Sequence, residues 1–193
     1  VLLFTVFTAA LAIHLKAQEK MTSNLTLSQK EISIVPIAAF TAKGDMPKLQ
    51  TALHEGLNAG LSINETKEIL TQLYAYAGFP RSLNALNMLM TVLEERKKKG
   101  IIDVQGKEAS PIPNGKTKLQ AGTENQTKLV GQPVKGALYE FAPVIDRFLK
   151  EHLFADIFDR DILDYKTREI ITISALAGLG GAENQLRSHI NVG

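Results

Sequence analysis

Residues 165–193 read YKTREIITISALAGLGGAENQLRSHINVG. An acid, Glu169, stands ahead of an apolar run from Ile170 to Leu179. Gly180 and Gly181 interrupt that run, and a second stretch follows with Leu186 and His189. Asp164 precedes it as an N-cap, because a carboxylate there accepts from the free amides of a first helical turn. The pattern predicts two helices joined by a tight glycine turn, an αα-hairpin.

The same order of features occurs earlier in the chain. Glu31-Ile32 matches Glu169-Ile170, Gly44 matches Gly181, and the eight residues from Leu49 to Gly56 align with those from Leu186 to Gly193. An internal repeat of this kind fixes the architecture. The first copy goes on through Leu57 to Gly100, whereas the second stops at Gly193, so the second unit reads as incomplete. An incomplete unit leaves an apolar helix face to be covered by another chain or by residues absent from this sequence; the first of these predicts a homo-oligomer.

Cap signals mark the remaining helices. Ser28 and Glu31 have the form of a capping box, as do Ser62 and Glu65. The run Ile32 to Ala42 is apolar nearly all round, as in a buried helix, and Pro36 within it predicts a kink or a restart. Asp45 caps a second helix with Pro47 in its first turn and Leu49, Leu53, Gly56 and Leu57 on one face. Ile69, Leu70, Leu73, Tyr74 and Ala77 stripe a third, and Leu83, Leu86, Leu89, Met90 and Leu93 a fourth, from about Pro80 to Gly100. The cations Arg96 to Lys99 complement that helix's dipole. Tyr74, Tyr76 and Phe79 read as core and interface residues. From 101 to 137 Gly, Pro, Lys, Gln, Thr and Asn dominate, the composition of a linker or a functional loop. Helical spacing returns with Phe141, Val144, Ile145, Phe148 and Leu149. No stretch sustains alternation of period two, so the fold class is all-α, built of antiparallel helical hairpins. The organisation is a first repeat over 25–100, a linker over 101–137 and a partial second repeat over 138–193.

Composition narrows the function. Apolar residues make up 45% of the 193 and charged residues 22%, the balance of a globular chain. A net charge of +2 does not point to nucleic acid. The absence of cysteine removes disulfides, thiolate metal sites and thiol redox chemistry from this chain. The uncharged run from Val1 to Ile13 is short for a membrane span, and with Ala17 before a cut it reads as an export signal over 1–17. That expectation places the protein in a bacterial periplasm, with no stable membrane span.

Two further segments carry a resemblance. Leu57-Asn58-Ala59-Gly60-Leu61-Ser62, and the stretch Ala75-Tyr76-Ala77-Gly78-Phe79-Pro80-Arg81-Ser82-Leu83-Asn84-Ala85-Leu86, resemble the carboxymuconolactone decarboxylase family, which also holds the alkylhydroperoxidase D-type proteins. Arg168-Glu169, the apolar run, Gly180-Gly181 and Leu186-Arg187-Ser188-His189 resemble the same family's acid and histidine segment. The resemblance implies an all-α fold of helical hairpins assembled into dimers or rings, tandem fused forms included.

In alkylhydroperoxidase-type relatives a Cys-x-x-Cys pair precedes the histidine. Here Gly181, Ala182, Glu183, Asn184 and Gln185 occupy that neighbourhood, and the dithiol route is closed. The decarboxylase route needs no thiol, metal or cofactor. Loss of carbon dioxide from a small carboxylated, lactone-like substrate leaves an enolate that must be protonated. His189 is then the general acid/base and Glu169 its partner. Arg187 or Arg168 would hold a substrate carboxylate in a bidentate grip. Against this stand blander roles: a glutamate near a helix start stabilises without catalysing, and a histidine can be a core residue. In the first copy Ala52 stands where His189 would be, and His54 points about 200° round the helix. The first unit therefore reads as scaffold, with Glu31 a capping residue. A non-catalytic helical assembly or small-molecule binding protein is the alternative.

Overall fold

The computed structural model describes residues 26–111 and 115–192. The segment read as an export signal, 1–17, lies outside them. Among the described residues every regular element is helical, and no helix is long and apolar enough to cross a membrane.

Four helix starts fall where the caps predict. In α1 (Gln29–Lys43) and α3 (Ile63–Gln72) both halves of the capping box form, Ser28 with Glu31 and Ser62 with Glu65. Asp45 caps α2 (Met46–Asn58), and Asp164 caps α9 (Tyr165–Leu179) by accepting from the Thr167 amide at 2.8 Å. Helix α1 runs through Pro36 as one element rather than restarting. The hydrogen bond that proline removes belongs to the Ile32 carbonyl, on the side where Ile32 and Val35 are exposed, so solvent replaces it. That exposure also corrects the expectation of a helix buried on all sides.

The expected third helix is split. Helix α3 ends at Gln72, a separate turn α4 (Tyr74–Ala77) follows, and Gly78 at φ 84° redirects the chain into α5 (Phe79–Lys98). Helix α5 buries Ser82, Ala85, Leu89, Val92 and Arg96, while Leu83 and Met90 of the expected stripe are exposed. Arg96 is not a solvated end cation. Its guanidinium donates to Asp103 and to Asn58, and both partners of the Arg96–Asp103 pair are nearly sealed from water.

The linker composition over 101–137 hides structure. Residues 101–111 lie extended along α3: the Ile63 and Asn64 amides donate to the carbonyls of Val104 and Gln105. Helix α6 (Lys118–Val130), capped by Thr117 with Gln120, was not foreseen. It packs on a π-helical segment (Leu149–Ile157) that continues from the short helices α7 (Ala137–Phe141) and α8 (Pro143–Phe148). A Cβ on Gly122 would come 1.7 Å from the Lys150 carbonyl oxygen, so only glycine allows this approach.

One core runs through α1, α2, α3 and α5 and takes in Ile171 and Ala175 of α9, all fully buried at those two positions. Helix α9 lies beside α1 in the same direction: Lys166 pairs with Glu31 near both starts, and Gly178 meets Ala39 further along. A smaller cluster of Leu153, Phe154, Ile157 and Phe158 holds Tyr74, Tyr76 and Tyr165 against its edge. Helix α10 (Glu183–Ile190) packs on α9 and buries none of its own residues fully.

Candidate functional site

Glu169 is the fifth residue of α9, beyond the first turn, and the capping duty there is Asp164's. The glutamate points inward and is 2% exposed. The Gly180-Gly181 turn, both residues at φ 71°, folds α10 back so that His189 meets it. His189 Nδ1 lies 2.7 Å from Glu169 Oε2. The acceptor is a carboxylate, so Nδ1 carries the hydrogen and Nε2 is the nitrogen left to exchange a proton. The imidazole is about one-fifth exposed, which gives that nitrogen access from outside.

The other carboxylate oxygen, Glu169 Oε1, is buried and has no hydrogen-bond partner among the described residues. Tyr76 borders the pair. Its ring meets the imidazole edge-on, with centroids 6.1 Å apart and planes at 79°. Its hydroxyl is also buried, and Thr172 of α9 is the side chain it meets. Burial pushes the Tyr76 phenol well above the ordinary phenol range, and the negative charge of Glu169 adds to that shift. Tyr76 therefore stays a protonated donor. The sequence marked it only as an aromatic of core and interface; what its hydroxyl meets on α9 is a tertiary fact.

Of the four residues singled out from the sequence, the structure brings two together. Arg168 precedes Glu169 but faces the other way, into the interior, with no exposure. Its guanidinium donates to Glu68 at 2.8 Å, Gln72 at 2.9 Å and the Arg160 carbonyl at 2.7 Å, with Phe158 stacked on it. Burial pulls this guanidinium below its ordinary value, and Glu68 opposes that pull. A substrate carboxylate would have to displace Glu68 to reach it. Arg187 is exposed on α10 and makes no ion pair among the described residues.

Two surface cavities are formed elsewhere. One of about 270 Å³ lies between α1 and α2, bordered by Pro36, Phe40, Thr51 and Ala52. Another of about 200 Å³ lies where α1, α3 and α9 begin, among Lys30, Glu31, Glu65 and Asp164. Neither is lined by Glu169 or His189. The residues aligned with the pair in the earlier segment make no comparable contact: Glu31 caps α1 and binds Lys166, Ala52 is buried in the core, and His54 pairs with Glu95 on α5.

No curated protein matches the chain. The family comparison covers an N-terminal segment and leaves the Glu169–His189 pair outside it. Residues 9–90 match the model of the Carboxymuconolactone decarboxylase family, to which that segment is similar.

Proposed function

We propose that the chain carries out cofactor-independent acid/base chemistry, a decarboxylation or isomerisation, on a small carboxylated or lactone-like substrate. The observation that carries this reading is the contact of His189 Nδ1 with a buried carboxylate, which leaves Nε2 open at a partly exposed edge. In a decarboxylation the C–C bond to the leaving carboxylate breaks and its electron pair enters the conjugated carbonyl. The proton on an imidazolium Nε2 then passes to carbon, and solvent restores that proton. Glu169 holds the ring in one tautomer. Arg187, exposed on the same helix as His189, is the cation free to attract a substrate carboxylate. The family match over residues 9–90 supports the reading at the level of the family and names no substrate.

The test is turnover of a carboxylated muconolactone, followed by carbon dioxide release. His189→Ala should lower the rate about 10²- to 10⁴-fold, the usual weight of a positioned proton carrier. Glu169→Gln should lower it less, because the ring keeps a hydrogen-bond partner. Equal turnover in wild type and His189→Ala would sink the proposal.

The second reading, a non-catalytic assembly that keeps the fold, draws on two observations: neither cavity touches the pair, and a run of apolar side chains on α7 and α8 faces outward. The same run, Leu138, Phe141, Val144, Ile145 and Phe148, supports homo-oligomerisation under either reading. The parallel pairing of α1 with α9, which sets Glu31 beside Lys166 and Ala39 beside Gly178, supports a pseudo-symmetric relation between two repeats. A thiol peroxidase remains disfavoured, since the chain supplies no thiolate.

A further inference from the structure

Glu169 holds His189 at one point only. A planar ring tied by a single hydrogen bond can still turn about the line of that bond, so its far nitrogen has no fixed direction. Helix α10 adds little restraint. It buries none of its residues fully, and among the described residues the 2.7 Å contact with Glu169 is the one hydrogen bond that ties it to another helix. A second contact is needed to set the plane of the imidazole. The ring of Tyr76 makes it, with centroids 6.1 Å apart and planes at 79°, the edge-to-face geometry that aromatic quadrupoles favour.

Tyr76 is itself anchored in the main fold. Its turn, α4, runs between Leu73, which is fully buried, and Gly78. Its phenol end meets Thr172 of α9, a residue with no exposure. The Thr172 hydroxyl gives its one hydrogen to the Arg168 carbonyl at 2.9 Å and accepts from Gln72 at 3.1 Å. It has no hydrogen left for the phenol, so the phenol donates and Thr172 accepts with its second lone pair. The Tyr76 hydrogen is thus spent inside the fold, and the part of the residue that meets His189 is the ring.

We propose that Tyr76 is the positioning residue of the Glu169–His189 pair. Glu169 fixes which nitrogen carries the hydrogen, and the Tyr76 ring fixes the plane in which the other nitrogen points. The inference deepens the acid/base reading and rests on it for what that nitrogen does. It also gives the family-matched segment a part in the site, because Tyr76 lies within residues 9–90 and both members of the pair lie beyond them.

The experiment is nitrogen-15 NMR of the His189 imidazole in the whole protein, at a pH where the ring is neutral, for the wild type, Tyr76→Phe and Tyr76→Leu. The wild type should show one tautomer, with the hydrogen on Nδ1, and nuclear Overhauser contacts between the two rings. Tyr76→Phe keeps the ring and should keep that signature. Tyr76→Leu should shift His189 towards the mixed tautomers of an exposed histidine. It should also lower kcat about 10- to 10²-fold with KM little changed, as misplacement of a reacting group does. Loss of packing alone would lower the unfolding midpoint and leave the tautomer of the folded protein where it was. The inference is overturned if Tyr76→Leu keeps the wild-type tautomer, if Tyr76→Phe loses it as fully as Tyr76→Leu, or if the wild type shows no contact between the rings. Should Tyr76→Leu fail to fold, Tyr76→Met, of similar length and without a ring, takes its place. The tautomer is read without turnover, so a shifted tautomer with kcat unchanged would reject the acid/base reading and leave the positioning intact.

Discussion

Arg168 and Glu68 join α9 to α3 by an ion pair at 2.8 Å with both side chains sealed from water. Arg160 adds a second guanidinium to the same carboxylate from the protein's edge. Removing one member of a buried pair strands the other charge, which costs about 3–5 kcal/mol. Glu68→Ala and Arg168→Ala should each lower unfolding stability by that amount in urea titrations. The double replacement by apolar residues of similar volume should recover much of it. A loss below about 1 kcal/mol for Glu68→Ala would mean that the pair is not held as described.

Gly178 lets α9 approach α1, because a Cβ there would lie 2.6 Å from the Ala39 carbonyl oxygen. Alanine favours a helix over glycine by up to about 1 kcal/mol. Here the obstacle is backbone, which cannot swing aside, and overpacking of that kind costs about 1–3 kcal/mol. The second effect wins. Gly178→Ala should destabilise the protein, read as a lowered thermal midpoint; a raised midpoint would contradict the close approach.

Glu31 sets an acid-side dependence. Its hydrogen bonds to Lys166 and to Ser28 lower its carboxyl from 4.5 to about 2. A carboxylate held low in the folded state adds stability that is fully present above its unfolded value. That contribution is lost as pH falls from about 4.5 through about 2. Glu31→Gln keeps a capping-box partner for Ser28 but abolishes the charge facing Lys166. The variant should show a shallower fall in stability over that window, by urea unfolding at several pH values. An unchanged slope would place the acid sensitivity on other carboxylates.

Phe141 is 89% exposed and Phe148 59%, unusual for phenylalanine in a lone molecule. If this face meets a second copy, Phe141→Asp with Phe148→Asp should shift sedimentation velocity to the monomer and leave the helical circular dichroism unchanged. A wild type already monomeric at all concentrations would remove the oligomer from the functional reading.

Local signals in the sequence proved the most legible. Ser28, Asp45, Ser62 and Asp164 all cap as expected, because a cap depends on residues three apart. The meeting of Glu169 and His189 was legible too, since the double-glycine turn leaves few ways for the two helices to pack. Arg168 was misleading. Nothing near it in sequence shows that Glu68, a hundred positions away, would claim it. Helix α6 was hidden by its polarity: it buries only Gly122 and Gln126, so the apolar stripe that announces most helices is absent. The Thr117–Gln120 capping box was the signal that could have found it. Tyr76 read correctly as a packed aromatic, but the contact of its hydroxyl with Thr172 depends on what α9 places around it.

The two halves of the pair sit on unlike footings. Glu169 belongs to α9, whose Ile171 and Ala175 are locked in the main core, so its amides should exchange with solvent only when the whole molecule unfolds. His189 belongs to α10, which buries nothing completely and can open by itself at small cost. The acid is thus a fixed anchor and the imidazole a hinged partner. The imidazole can swing outward to meet solvent without disturbing the fold that holds the carboxylate in place.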